Sequence, residues 1–274
     1  MNLKAGHPDF SPTELADFLL RETGQTEQQA TNPGDLLSYL KLAPMVLDLE
    51  SALPGKINKP RGVLAFHERI VAVHSGLYPQ RATFTALHEI AHYVLPQHRT
   101  DFYLCDDEAI SFLARNRLER EASEFAAELL FQGDRFTLES SSMPLTALSI
   151  KQLSGEYRAS FEATARRMVF KSFRDCMLVV FEPKPGVGII DPNRERDWMV
   201  KYVVPSVSFA NKFFRDLEGE VPRDVVTAVT QPGRDLADSV VREPTVTSPQ
   251  GKRIPFIAEF FCNHYNIFAL LLPK

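Results

Sequence analysis

The five residues His88-Glu89-Ile90-Ala91-His92 constrain this chain more than any other stretch of it. On a helix, two histidines four residues apart lie on one face. One turn apart on that face, they can hold a single metal ion, with Glu89 projecting beside them toward a water on the ion. The flanks agree, since Phe84, Leu87, Ile90, Ala91 and Val94 recur at helical spacing. The predicted helix over residues 83–95 ends at Leu95, because the residue before Pro96 is pushed out of the helical region. Zinc is the natural occupant of such a pair, and manganese or iron also suits two imidazoles with a carboxylate. Two imidazoles leave room for a third protein ligand and an open position, which is the coordination of a catalytic site. A purely structural reading would place two histidines and a glutamate at or beside a core face without partners, which is uncommon.

The third ligand has to come from elsewhere in the chain. Glu119 is one choice: Glu119-Arg120-Glu121-Ala122 puts a small residue one turn after the carboxylate and lets its helix approach the first closely, the E-x-x-A arrangement of gluzincin-type proteases. His98 is another, because its distance from His92 reproduces the metzincin histidine spacing. Leu95, however, stands where that turn normally needs glycine, and no methionine turn follows. Glu121 and Glu124 are the remaining carboxylates. Tyr93, His98, Tyr103 and Arg120 are candidates, by proximity in sequence alone, for the donor that an oxyanion would need.

The wider context resembles the ImmA/IrrE family of metallopeptidases. Arg81, Phe84, Thr85, His88, Glu89 and His92 carry the likeness, followed by Glu119, Ala122 and Phe125-Ala126-Ala127-Glu128-Leu129-Leu130. It is clear over residues 60–132, looser up to residue 174, and does not extend to the last hundred residues. Ser123 stands where the family usually has Asn or Asp, and Phe131-Gln132 replaces a common Met-Pro. The resemblance implies a zincin-like fold, metal ligands His88, His92 and Glu119, and Glu89 as general base in peptide-bond hydrolysis. It further implies a protein substrate, a helix-turn-helix transcriptional repressor whose cleavage switches on stress-response or mobile-element genes.

The rest of the chain sets the frame. At about 150 residues per domain, 274 residues make one or two domains. The patterning suggests three parts of an α+β protein: a metallopeptidase domain over residues 1–140, a short helix-turn-helix-like connector over residues 141–175, and a mixed α/β C-terminal domain of GAF or PAS type over residues 176–274. In the first part, helices are expected over residues 11–22, 32–42 and 118–131, with strands on either side of a turn at His67-Glu68. Residues 101–108 read as a polar, acidic spacer and residues 133–144, with three consecutive serines, as a linker. Beyond residue 176, strands are expected at residues 177–181, 188–190, 200–204, 256–261 and 267–272, with a helix over residues 206–217.

Composition removes several classes of function. With 31 basic against 35 acidic residues, the net charge of −4 gives no general drive toward nucleic acid or an anionic membrane. The longest apolar run, residues 267–272, falls far short of the roughly 20 residues of a membrane span, and the N-terminus has no secretory signal pattern. Cys105, Cys176 and Cys262 lie far apart, as buried thiols of a cytoplasmic protein do. Cys105 is followed by Asp106, Asp107 and Glu108, acids that raise a thiol pKa and argue against a reactive thiolate; a role as metal ligand or switch is the second reading. A non-catalytic regulator binding DNA or a partner through residues 145–174, with a structural metal, is the alternative to a peptidase. Direct DNA binding fits poorly, because the second helix there opens with Phe161, Glu162, Ala163 and Thr164, which offer no fork for guanine.

Overall fold

The computed structural model describes residues 11–53, 59–98, 102–107, 109–110, 116–183, 197–215, 217, 220–247 and 251–274. The chain divides into two compact units, residues 1–136 with 156–159, and residues 137–155 with 160–274.

In the first unit, Ser11 and Glu14 close a capping box that starts α1 (Pro12–Glu22), and Leu15, Leu19 and Leu20 line its buried face. Helix α2 (Pro33–Leu40) leads into strand β1 (Ala43–Leu47) and the short α3 (Leu49–Ala52). Strands β2 (Gly62–Ala65) and β3 (Ile70–His74) flank the expected turn, where Arg69 takes a positive φ of 59°. Helix α4 (Pro79–Val94) begins a turn earlier than its apolar spacing shows, because Pro79 is preset for the first helical position. Strand β4 (Phe102–Cys105) and α5 (Arg117–Leu130) follow. The four strands form a sheet in the order β1-β3-β2-β4, parallel between β1 and β3 and antiparallel elsewhere. Helix α4 packs against β2, β3 and α5. A small cluster of Leu49, Val63 and Ala72 extends the core to α3.

Two expectations fail here. The acidic spacer contains β4: Cys105 pairs with Gly62 and Tyr103 with Leu64, and the acids come after the strand, where Asp107 meets Arg61 at 3.1 Å and Arg81 at 2.9 Å. The serine-rich linker is instead helix α6 (Asp134–Ser142). Its serines return their hydroxyls to carbonyls three or four residues back. Phe136, fully buried, anchors the start of that helix against Phe131 and Tyr157.

In the second unit, α7 (Ala147–Glu156) and α8 (Phe161–Phe170) accompany an antiparallel sheet. Its strands are β5 (Met177–Pro183), β6 (Trp198–Pro205), β7 (Val240–Arg242), β8 (Thr245–Thr247), β9 (Arg253–Cys262) and β10 (Ile267–Pro273), in the order β6-β5-β10-β9-β7, with β8 also on β9. β5 and β10 are buried on both faces, which is why they read as continuous apolar runs. Phe161 of α8 meets Phe261 and Phe268 of the sheet, while Met177, Val179, Ala269 and Leu271 share a cluster with Phe209 and Val225. The helix expected over residues 206–217 is shorter, α9 (Val207–Lys212): Phe213 leaves helical geometry, and Phe214 turns in against Phe209. A further helix, α10 (Arg223–Val229), follows. The strand expected at residues 188–190 lies outside the described residues. Among the described residues no helix is long and apolar enough to cross a membrane.

Candidate metal centre

Helix α4 carries His88, Glu89 and His92 into the interior, all three fully buried. Ala91 of α4 and Ala122 and Ala126 of α5 are also fully buried, and such small side chains let two helices approach closely. The approach brings Glu119, in the first turn of α5, to the histidines: its Oε2 is 3.0 Å from His88 Nε2 and 3.2 Å from His92 Nε2, and the two nitrogens are 3.1 Å apart. From β4, Cys105 Sγ comes within 3.7 Å of His92 Nε2 and 3.9 Å of Glu119 Oε2. His88, His92, Cys105 and Glu119 each offer one ligand atom, and all four atoms lie within 4.8 Å of one another.

This donor set fits one divalent ion. A tetrahedral shell with bonds of about 2.0–2.3 Å places its ligand atoms about 3.3–3.8 Å apart; His88, His92 and Glu119 lie 3.0–3.2 Å apart, close to this, while the span of 4.8 Å over all four donors leaves Cys105 farther out. Burial lowers the pKa of both imidazoles, against the pull of Glu119, and so favours the neutral form that a metal takes. Burial alone would raise the Glu119 carboxyl, but the hydrogen bonds to His88 and His92 outweigh it and bring the pKa down to about 2. Burial pushes the Cys105 thiol up, and the nearby Glu89 and Glu119 carboxylates add to the rise.

The remaining ring nitrogens have partners of their own. Ser123 Oγ lies 3.3 Å from His88 Nδ1. His92 Nδ1 lies 3.0 Å from His98 Nδ1, and His98 Nε2 lies 3.3 Å from Glu121 Oε2. Tyr103 stacks on the His92 ring with centroids 3.9 Å apart. Contacts of this kind hold ligand rings in one tautomer and orientation.

The structure thus brings together His88, His92 and Glu119, with Glu89 beside them. His98 meets His92 at the ring nitrogen opposite the one facing Glu119; Glu121 engages His98 and Arg117, and Glu124 is exposed. Of the oxyanion candidates, Tyr93 receives a hydrogen bond from Arg69, and Arg120 is exposed. Ser123 was legible in sequence only as a departure, one turn after Glu119. Gly62 was overlooked, although an isolated glycine within a strand signals close approach.

Gly62 matters because of Glu89. Neither Glu89 oxygen has a hydrogen-bond partner, and burial raises this carboxyl well above the usual range, the Cys105 thiol opposing the rise and the Glu119 charge adding to it. A Cβ on Gly62 would collide with Glu89 Oε1 and stand 2.7 Å from Thr85 Cγ2. Gly62→Ala is therefore expected to displace Glu89 and, on the peptidase reading of this cluster, to reduce peptide cleavage by about 100-fold at unchanged metal content. A cleavage assay with metal analysis on the same sample checks it.

Comparison with known proteins gives this cluster a family. Residues 37–169, which include all four candidate ligands, match a peptidase family described as the IrrE N-terminal-like domain. This stretch is an IrrE N-terminal-like domain. No curated protein sequence matches the chain. A solved structure, a Mycobacterium tuberculosis transcriptional regulator, superposes with a TM-score of 0.50 at 14% identity, covering 95% of this chain and 86% of that one. At such identity the likeness is one of fold. The IrrE N-terminal-like domain here thus contains a buried candidate metal-binding group, as a metallopeptidase family requires.

Proposed function

We infer that this chain is a zinc-dependent endopeptidase of the H-E-x-x-H, gluzincin-like kind, with His88, His92 and Glu119 as ligands and Glu89 as general base. The observation that carries the reading is Glu89: a carboxylate with both oxygens buried and unpartnered, one residue from a ligand and on the same helix. Leaving such a group unsatisfied costs a few kcal/mol, a cost with no structural return. When bound, the metal supplies Lewis-acid polarisation of water and of the scissile carbonyl. Glu89 accepts a proton from the attacking water at its carboxylate and returns it to the leaving amine nitrogen. Ser123 and His98 hold the histidine rings, and the closed packing of α4 against β2 at Gly62 keeps Glu89 in place.

The proposed substrate is a helix-turn-helix transcriptional repressor, in keeping with the family and with the transcriptional regulator whose fold is similar. The proposed compartment is the cytoplasm, in keeping with three free cysteines. The second unit is proposed as a sensor-like module of GAF or PAS type, supported by its antiparallel sheet with α9 and α10 inserted between β6 and β7. Direct DNA binding through a helix-turn-helix at α7 and α8 is not part of the reading, because Arg167 of the second helix is buried.

Incubation of zinc-loaded protein with the repressor encoded nearest to its own gene, read by intact mass, tests the function. A single cut that disappears with a chelator and returns with zinc is the expected result. Metal-loaded protein that leaves this repressor and a panel of other helix-turn-helix repressors intact would overturn it.

A further inference from the structure

An open catalytic shell has three protein ligands, yet four donors converge here. Cys105 stands at the end of β4, whose register with β2 places it opposite Gly62, and it is fully buried. Its Sγ stands beside the two histidines and Glu119. Its distances of 3.7 Å to His92 Nε2 and 3.9 Å to Glu119 Oε2 match the edge of a tetrahedron drawn with a longer metal–sulfur bond, and since the four donors span 4.8 Å, Sγ has to move toward His88 to complete the shell.

We propose that Cys105 is the fourth protein ligand of the metal, so that the site is closed to water until Sγ leaves it. The inference rests on the peptidase reading and adds a latent state to it. On ligation the thiol proton passes to solvent as the metal–sulfur bond forms, since a divalent cation deprotonates a coordinating thiol outright. Opening reverses the exchange: the metal–sulfur bond breaks, Sγ takes up a proton from solvent, and water enters the vacated position. A permanently structural site would also have four protein ligands, but it would have no use for the unpartnered Glu89 carboxylate beside it. A latent site needs both.

Cobalt reports ligand type without reference to cleavage. Full-length protein loaded with Co2+ is expected to show visible d–d bands of a four-coordinate ion together with a near-ultraviolet thiolate-to-cobalt charge-transfer band. Cys105→Ser should lose the charge-transfer band and keep the visible ones, whereas Cys176→Ser should keep both. Wild-type protein with bound cobalt and no charge-transfer band would overturn the proposal on its own, whether or not the serine variant folds. So would a band that survives Cys105→Ser. In either case His88, His92 and Glu119 would stand as ligands. Failure of the wild type to take up cobalt at all would overturn both this proposal and the metallopeptidase reading.

Discussion

Replacing Glu89 with glutamine is expected to lower cleavage by about 100- to 10,000-fold while leaving bound metal in place, the usual range for removing a general base. The amide has nearly the shape of the carboxylate, so the packing against Gly62 and Thr85 persists. It accepts no proton at neutral pH, so the attacking water loses its base and the leaving amine its proton source. Neither oxygen of Glu89 meets hydrogen-bond geometry with a partner, and its one polar neighbour of note is the weakly donating Cys105 thiol, so the exchange removes little. The metal atoms should therefore stay stoichiometric and the thermal midpoint should not fall. Metal analysis, a melting curve and single-turnover cleavage on one preparation check the three statements. Cleavage at the wild-type rate by Glu89→Gln protein would remove Glu89 from the chemistry and return the alternative, a regulator with a structural metal, to the front.

The second large effect concerns the metal itself. Glu119→Ala is expected to weaken binding by more than about 100-fold, beyond the loss typical of removing a group that merely supports a ligand. Its Oε2 touches both histidine nitrogens, so its removal takes away a donor and also the negative charge facing two buried imidazoles. Glu121→Ala is the matched control: that carboxylate reaches His98 and Arg117 and contacts no proposed ligand directly. Its loss should weaken binding by about tenfold. Competition with a chromophoric chelator separates the two. Tight binding by Glu119→Ala with weak binding by Glu121→Ala would reverse the ligand assignment.

Local physics made the centre of the site readable from sequence. Helical spacing put His88 and His92 on one face, Ala122 marked a close approach by α5, and Leu95-Pro96 fixed where α4 stops. What stayed hidden depended on partners distant in sequence. β4 is four residues long, and its strand character comes from pairing with β2; the acids after it in sequence, of which Asp107 is held by Arg61 and Arg81, masked it as a loop. Cys105 entered the metal cluster through that register alone. Helix α6 was missed because serines are poor helix formers in isolation, and the burial of Phe136 that offsets this is a tertiary effect. His98 was weighed as a ligand by its distance along the chain, which could not show which ring nitrogen of His92 it faces.

The family match begins at residue 37, but the fold of the first unit does not. Helix α1 packs on α5, Thr31 donates to the Leu129 carbonyl at 2.7 Å, and Gln132 donates to the carbonyls of Gln25 and Gln28. These contacts cover the apolar side of the helix that carries Glu119. A recombinant fragment trimmed to residues 37–169 would expose Phe125 and Leu129 to solvent and is expected to self-associate. Biochemical dissection of this IrrE N-terminal-like domain therefore has to keep the segment from Ser11 onward, although the hydrogen bonds found among the described residues do not join that segment to His88, His92 or Glu119.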